Sequence, residues 1–428
     1  GVGKTTLCFH SVVAYAELHP QTNVIVVDTD EQANLSQVLL TGENTGEANC
    51  TKLREDTVNT VEMYPRTLCG ALLASKENNI RDCVFTTEDG TILEKESSFL
   101  VNPNREGYNK SIPSNVYLLC GDPRIVTLVP DFQADLNAPV AREIVSATGM
   151  SKWGKLMSSL KNFHANASQQ LSSGTDAKVF IDSNPSMTIW TQMALVASDK
   201  LIVPVNADDF STAALKNMFF TVYGLYSFGG NLARYEKGMF HAIAEQQNLT
   251  MPKIHAIVHN RSTIFADSAH GNGFRAMNSA QSRTLFSAYK KAEEKGELSR
   301  IFNMDQLKPG HEIKDEDGFA NTFTGSMRDM LTSAIATQHY GIPLWHVHRN
   351  RKPIKEGLNV KSVKQSASSS LQDLIGAEKK KSRSLMQLVQ GQAIPGDKCA
   401  GVWNKFNIGK QEEPASSPAT GSKRPRDE

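Results

Sequence analysis

The chain has 428 residues, of which 39% are hydrophobic and 21% are charged. This composition is ordinary for a globular protein, and the length suits one large α/β domain with insertions or two smaller domains. The formal net charge of +1 excludes a partner recognised by overall charge, so any basic surface must be local.

The six cysteines form no CxxC pair, which argues against a zinc site or a disulfide framework and indicates a reducing, cytoplasmic compartment. No apolar run approaches the roughly 18 residues that a membrane-spanning helix needs.

Short apolar runs alternate with helical patterns along the chain. The runs have the length of buried strands and lie at residues 24–27, 116–119, 179–181, 201–205, 254–258 and 343–347. Apolar periodicity predicts helices between them, for example over 6–18 and 212–228. Strands that alternate with helices predict an α/β fold with a mostly parallel sheet and helices on both faces.

Three polar stretches interrupt this pattern. Residues 41–114 are irregular, with one helical candidate at 68–74, and residues 229–250 and 267–326 are rich in Lys, Glu, Asn and Gly. We interpret all three as insertions in a domain that covers residues 1–375. Residues 376–428 carry ten Lys and Arg against six Asp and Glu, and this composition predicts a disordered basic tail.

The chain opens with the hexamer GVGKTT, formed by Gly1, Val2, Gly3, Lys4, Thr5 and Thr6. It matches the second half of a GxxxxGK[ST] phosphate loop, so we expect an amino-terminal truncation within this loop. Glycines let backbone amides approach the phosphates, and the start of the following helix adds a favourable partial charge. Lys4 is predicted to bind the β- and γ-phosphates of ATP, and Thr5 to place its hydroxyl on Mg²⁺. A chance GxGKT in a glycine turn is the alternative.

Two apolar strands each deliver acidic residues, and they argue against that alternative. The strand at 24–27 runs into Asp28 and Asp30, and Asp30 lies 26 residues after Lys4. Open α/β sheets bind ligands at the carboxyl ends of their strands, which predicts that this turn lies beside the loop. A later strand delivers Asp182, a candidate for the carboxylate that holds a Mg²⁺-bound water. Either motif alone fits a simple turn aspartate, but the three motifs in this order predict a P-loop ATPase.

These motifs resemble the deviant-Walker ATPases of the ParA/MinD type, and most closely ParA, the DNA-partitioning ATPases. In that family the loop reads KGGxGKTT, the second strand ends in DxDPQxN, and the Walker B strand ends in D with PP two residues on. This chain has GVGKTT, DTDEQAN and DSNPS at the matching places. The sequences IHAIVHNR at 254–261 and LWHVHRNR at 344–351 extend the resemblance over about residues 1–375.

The resemblance implies a role for each matching residue. Lys4 and Asp30 would be the catalytic residues, with Asp30 orienting the attacking water. Asp182 would support the metal, and Asn260 would contact adenine. ATP as the substrate and Mg²⁺ as the cofactor follow from the same resemblance.

The chain also departs from the family pattern. The signature lysine of the family, which reaches the ATP of a dimer partner, belongs two residues before Gly1. Glu31 stands where the family has Pro, and Asn184 replaces the first Pro of the Walker B turn. Both positions flank the predicted site, so we expect a weak, partner-stimulated ATPase.

The ParA resemblance implies an ATP-dependent homodimer that binds DNA without sequence preference, for partitioning or cargo positioning. A ParB-like partner would stimulate hydrolysis and release. Arg349, Arg351 and Lys352 cluster on a predicted loop and are the candidate DNA-binding residues. A solvated basic loop is the alternative for this cluster.

Other interpretations remain open. A MinD-like membrane-cycling ATPase would lay basic residues 379–383 and the apolar stretch after them on an anionic membrane, although that stretch is short. An assembly ATPase of the metal-cluster or reductase type would need paired cysteines, which the sequence lacks. Basic residues at 379–383 and 423–426 also match nuclear-import patches, with a solubilising tail as the alternative.

Overall fold

The computed structural model describes residues 2–58, 63–137, 151–171, 177–227, 229–262, 269–307, 310, 312–328 and 331–349. The strands within these residues are β1 Val24–Asp28, β2 Thr57–Val58, β3 Tyr64–Pro65, β4 Val84–Thr86, β5 Ile92–Glu94, β6 Leu100–Val101, β7 Val116–Leu119, β8 Lys178–Asp182, β9 Lys200–Val205, β10 Lys253–Ser262 and β11 Thr324–Arg328. The α-helices are α1 Lys4–Leu18, α2 Asn34–Leu40, α3 Gly46–Glu55, α4 Leu68–Lys76, α5 Ile125–Asn137, α6 Lys152–Met157, α7 Ser159–Leu171, α8 Ile189–Val196, α9 Asp209–Thr221, α10 Phe240–Gln246, α11 Ala269–Glu294, α12 Leu298–Ile301, α13 Glu316–Phe323 and α14 Leu331–Tyr340. Short 3₁₀ helices cover Ile80–Asp82, Lys95–Phe99, Gly230–Gly238, Met304–Gln306 and Leu344–Arg349.

The larger sheets are mostly parallel. In the first, the strand order is β6-β7-β1-β8, with β1 parallel to both β7 and β8 and only β6 antiparallel to its neighbour. In the second, the order is β11-β10-β9 and both pairs are parallel. Two antiparallel pairs, β2–β3 and β4–β5, lie outside these sheets. The predicted α/β fold with a mostly parallel sheet is confirmed.

The side-chain alternation of β1 explains why helices cover both faces. Val24 and Val26 pack in one core with residues of α1, α2 and α3. Ile25 and Val27 point the other way and pack with residues of α4, α7 and α8. Successive side chains of a strand point to opposite faces, so a strand that is apolar at every position is stable only between two helical layers.

Helix α1 contacts strands of both sheets, namely β1, β7, β8 and β9. Within the described residues, β8 pairs with β1 and β9 pairs with β10. The facing edges of β8 and β9 line a cavity of about 560 Å³ together with Lys4, Leu7 and Cys8 of α1. The start of α1 therefore lies where the two sheets meet.

The strand predicted over 343–347 is wrong, because a 3₁₀ helix covers Leu344–Arg349. Leu344 and Trp345 are buried, as their apolar character indicates, but a turn against α1 buries them. The backbone N–H of Leu344 donates to Nε2 of His10 at 3.2 Å instead of to a strand. The parallel partner of β10 on that side is β11.

The helix predicted over 212–228 is shifted toward the amino terminus. Helix α9 begins at Asp209, where the side chain of Asp208 accepts a hydrogen bond from the Ser211 N–H at 2.6 Å, and it ends at Thr221. Gly224 has a φ of 63°, which a continuing right-handed helix does not allow.

The stretches interpreted as insertions contain ordered elements that pack into the core. Residues 41–114 hold α3 in addition to the predicted helix, which is observed as α4. Residues 267–326 supply α11, whose Leu285 and Tyr289 are buried, and the start of β11. None of the described helices is long and apolar enough to cross a bilayer. The predicted tail, 376–428, lies outside the described residues.

Candidate active site

The phosphate-loop sequence forms the turn into α1. Gly3 has φ 82° and ψ 28°, in the left-handed region that favours glycine, and Lys4 is the first residue of the helix. A Cβ at Gly3 would lie only 1.9 Å from Nδ2 of Asn260, so the close approach of β10 also requires glycine here. The unpaired amides and the dipole of the first helical turn favour an anion at this point. Gly1 lies outside the described residues.

Thr5 and Asp182 are in direct contact. The Thr5 hydroxyl donates to Oδ2 of Asp182 at 2.8 Å, and Asp182, the last residue of β8, is buried. Burial raises the pKa of Asp182 to about 6, while the Thr5 hydrogen bond and the Lys4 charge oppose this rise. Hydroxyl and carboxylate oxygens are ligands that Mg²⁺ accepts alongside water and phosphate oxygens. The pair therefore fits a nucleotide-bound Mg²⁺, held by Thr5 and, through water, by Asp182.

Asp28 lies opposite Asp182 in the register of β1 and β8 and is fully buried. Its carboxylate accepts hydrogen bonds from the Ser36 N–H at 2.8 Å, from the Ser36 hydroxyl at 2.7 Å and from the Asp30 N–H at 3.2 Å. Burial first, and then the charge of Asp182, raise the pKa of Asp28 to about 7 against these hydrogen bonds. Asp28 thus faces the protein interior.

Asp30 follows β1 in the same turn and is only half-buried. Its Oδ1 accepts a hydrogen bond from the Gln32 N–H at 2.9 Å. Its charge is close enough to contribute to the raised pKa of Asp182. Within the described residues, the fold thus brings Lys4, Thr5, Asp30 and Asp182 to one edge of the sheet.

Asn260 connects the second sheet to the phosphate loop. It lies on β10, is 6% exposed, and its Nδ2 donates to the carbonyl oxygen of Val2 at 2.7 Å. This contact is with the loop backbone. The adenine contact of Asn260 stays a prediction.

Two residues that the sequence analysis did not single out complete this edge. Ser36, in the first turn of α2, accepts a hydrogen bond from the Gly121 N–H at 2.8 Å, and Gly121 follows β7. A Cβ at Gly121 would lie 3.0 Å from Cγ of Asp28. In the sequence, Ser36 lies just after DTDEQAN and Gly121 just after an apolar run. Both patterns are common, so neither distinguishes these residues from others in the chain.

The predicted DNA-binding residues cannot be placed at this edge. Arg351, Lys352 and the side chain of Arg349 lie outside the described residues. The segment before them packs on α1, where the Trp345 indole N–H donates to Oε2 of Glu17 at 3.0 Å. The chain that leads into the basic cluster is therefore attached to the helix that carries Lys4.

No protein-family model and no curated protein matches the chain. Among solved structures, it is similar to apo McdA of Cyanothece, with 14% identity, a TM-score of 0.43 and coverage of 87% of this chain and 95% of that chain. A putative plasmid partition protein of Borrelia burgdorferi B31 bound to AMPPNP has 15% identity, a TM-score of 0.37 and coverage of 87% and 94%. Cobyrinic acid a,c-diamide synthase of Mycobacterium smegmatis, with a bound ATP analog and magnesium, has 15% identity, a TM-score of 0.35 and coverage of 64% and 76%.

Proposed function

We propose that this protein is a Mg²⁺-dependent ATPase of the ParA type that binds ATP and hydrolyses it slowly. The observation that carries the proposal is the contact between Thr5 and Asp182, 2.8 Å, at the start of a helix that opens with GxGKT. In this proposal the Thr5 hydroxyl binds the metal and the Asp182 carboxylate supports it, at a helix amino terminus, which is a favourable site for phosphate. A glycine turn with no ligand would not require a buried acidic residue at this position.

Each residue of the site has a separate task in this proposal. Lys4 and the amides of the first turn of α1 bind the terminal phosphates. Asp30, which is half-buried and follows β1 directly, orients the attacking water. Bound Mg²⁺ supplies positive charge to the phosphates, and Thr5 and Asp182 hold it in place. Glu31 and Asn184 beside these residues fit slow turnover.

We further propose that ATP switches the protein between a monomer and a homodimer, and that the dimer positions DNA or another cargo. The resemblance of the motifs to ParA supports this step, together with the attachment of the segment before Arg349 to α1. A ParB-like partner would accelerate hydrolysis in this scheme.

Binding of ATP by full-length Lys4→Ala tests the nucleotide site. Removal of one partner of a charge pair costs about 2–5 kcal/mol, so the Kd for MgATP should rise at least roughly 30-fold. Lys237→Ala, in the exposed 3₁₀ helix Gly230–Gly238, is the matched control and should bind like the wild type. Asp182→Asn should instead raise the Mg²⁺ concentration needed for half-maximal hydrolysis. Unchanged ATP affinity in Lys4→Ala would refute the phosphate-loop assignment.

A further inference from the structure

The turn that carries Asp30 is attached to the start of α2 by the buried carboxylate of Asp28. Asp28 accepts from the N–H and the hydroxyl of Ser36 through Oδ2, and from the N–H of Asp30 through Oδ1. It therefore closes the turn between the end of β1 and the start of α2. The Asp28 side chain has no solvent exposure.

The attachment extends to the neighbouring strand. The Ser36 hydroxyl, which donates to Asp28, accepts a hydrogen bond from the Gly121 N–H at the end of β7. On the other side of the turn, the N–H and the hydroxyl of Thr29 both donate to the carbonyl oxygen of Asp182, at 2.9 and 3.0 Å. The position of Asp30 is thus fixed relative to β7, β1 and β8 at once.

We propose that Asp28 is a positioning residue, which through Ser36 sets where Asp30 lies relative to Lys4 and Thr5. The proposal rests on the ATPase function proposed above and assigns Asp28 no contact with nucleotide or metal. Both of its oxygens already accept hydrogen bonds inside the protein, whereas Asp30 reaches solvent from the same turn. A shift of about 1 Å in a reacting group can lower a rate roughly 100-fold, so this attachment matters for turnover more than for ATP binding.

Asp28→Asn and Ser36→Ala separate positioning from folding. An asparagine at position 28 cannot accept from Ser36 and from the Asp30 N–H together, because one end of its amide is a donor. The lost hydrogen bond lowers stability and the removal of a charge opposite Asp182 raises it, so this variant should unfold at a urea concentration close to that of the wild type. We expect kcat to fall roughly 100-fold in Asp28→Asn and roughly tenfold in Ser36→Ala, with the Kd for MgATP within about threefold of wild type.

Ser98→Ala is the matched control for Ser36→Ala, because Ser98 is also fully buried and its hydroxyl donates to a local carbonyl away from this turn. It should keep the wild-type kcat. Two results overturn the proposal: a kcat within twofold of wild type in Asp28→Asn, or a joint fall of kcat, ATP affinity and stability in both variants, which indicates a structural role only.

Amide hydrogen exchange tests the attachment without reference to turnover. In Ser36→Ala, the amide of Gly121 should exchange at least roughly tenfold faster than in the wild type, since it loses its acceptor. The amide of Asp30 should also exchange faster, because its acceptor Asp28 loses the Ser36 hydroxyl that holds it. Absence of ATP hydrolysis in the wild type would refute the proposed function, and the exchange rates would still decide on the attachment. Unchanged exchange at both amides overturns the positioning role of Asp28.

Discussion

Asn260 on β10 and Val2 before α1 are 258 residues apart in sequence, yet the Asn260 amide donates to the Val2 carbonyl oxygen at 2.7 Å. This hydrogen bond links the second sheet to the phosphate loop, and the side chain of Asn260 is buried. The position of the loop therefore depends on a residue that the sequence analysis assigned to the nucleotide base.

Asn260→Ala tests both roles. Loss of this part-buried hydrogen bond costs about 0.5–1.5 kcal/mol, so the Kd for MgATP should rise roughly 2- to 13-fold. Titrations with ATP and GTP distinguish the two roles. A parallel loss for both nucleotides indicates that Asn260 acts on the loop alone, whereas a selective loss for ATP indicates that it also contacts adenine.

Asp30→Ala should bind ATP almost as well as the wild type and should not hydrolyse it, because the water loses the carboxylate that orients it. The protein would then accumulate as an ATP-bound dimer, which size-exclusion chromatography with ATP and with ADP detects. Asp209→Ala, another acidic residue at the start of a helix, is a control and should turn over normally. Normal turnover by an Asp30→Ala monomer would remove Asp30 from the mechanism.

The contribution of His10 to stability should be lost below pH 6.5. Burial lowers the pKa of His10 to about 4, and its Nε2 accepts from the Leu344 N–H, which the charged ring cannot do. The unfolded chain binds this proton near pH 6.5, so between pH 6.5 and 4 the unfolded state holds more protons and stability is lost as the pH falls. The raised pKa values of Asp28 and Asp182 change stability in the opposite direction, and the lowered pKa of His259 changes it in the same direction as His10. These three groups are present in both proteins compared below, so their contributions cancel.

His10→Gln isolates this contribution, since glutamine stays neutral over the whole range. Urea unfolding at pH 7.5 and pH 5 should show that the wild type loses roughly 2 kcal/mol more than His10→Gln between the two conditions. Equal losses in the two proteins would show that His10 is not held neutral at this contact.

DNA binding should depend on ATP and on salt. The proposed ATP-bound dimer would carry the basic residues Arg349, Arg351 and Lys352 twice, so two weak contacts would act together, and ADP should release the DNA. The logarithm of the affinity should fall by roughly 0.9 per phosphate contact for each tenfold rise in salt. Replacement of Arg349, Arg351 and Lys352 by alanine should flatten this slope and leave hydrolysis without DNA unchanged.

Deletion of residues 376–428 is the control for that experiment, because the tail carries its own positive charge. If only this deletion flattens the slope, DNA binding belongs to the tail. If the intact protein binds anionic liposomes and not DNA, the membrane-cycling interpretation replaces the partitioning one.

The sequence by itself determined the layered fold and the order of the motifs. Runs such as VIVV at 24–27 are apolar throughout, and a strand of this kind is stable only between two helical layers. GVGKTT, the DxD turn and the strand that ends in Asp182 are local patterns, so the sequence alone was enough to predict them. The strand predicted at 343–347 was wrong because a run of five mostly apolar residues is too short to distinguish a buried turn from a buried strand.

Only the tertiary structure decided which side chains meet. The contacts Thr5–Asp182, Asn260–Val2 and Ser36–Gly121 join residues 177, 258 and 85 positions apart, and no local pattern specifies such pairs. Asp28 and Asp30 look equivalent in the sequence DTD, but the packing of α2 buries the first and leaves the second half-exposed. The reason is physical: a side chain's burial and hydrogen-bond partners depend on the elements packed around it, and these come from distant parts of the chain.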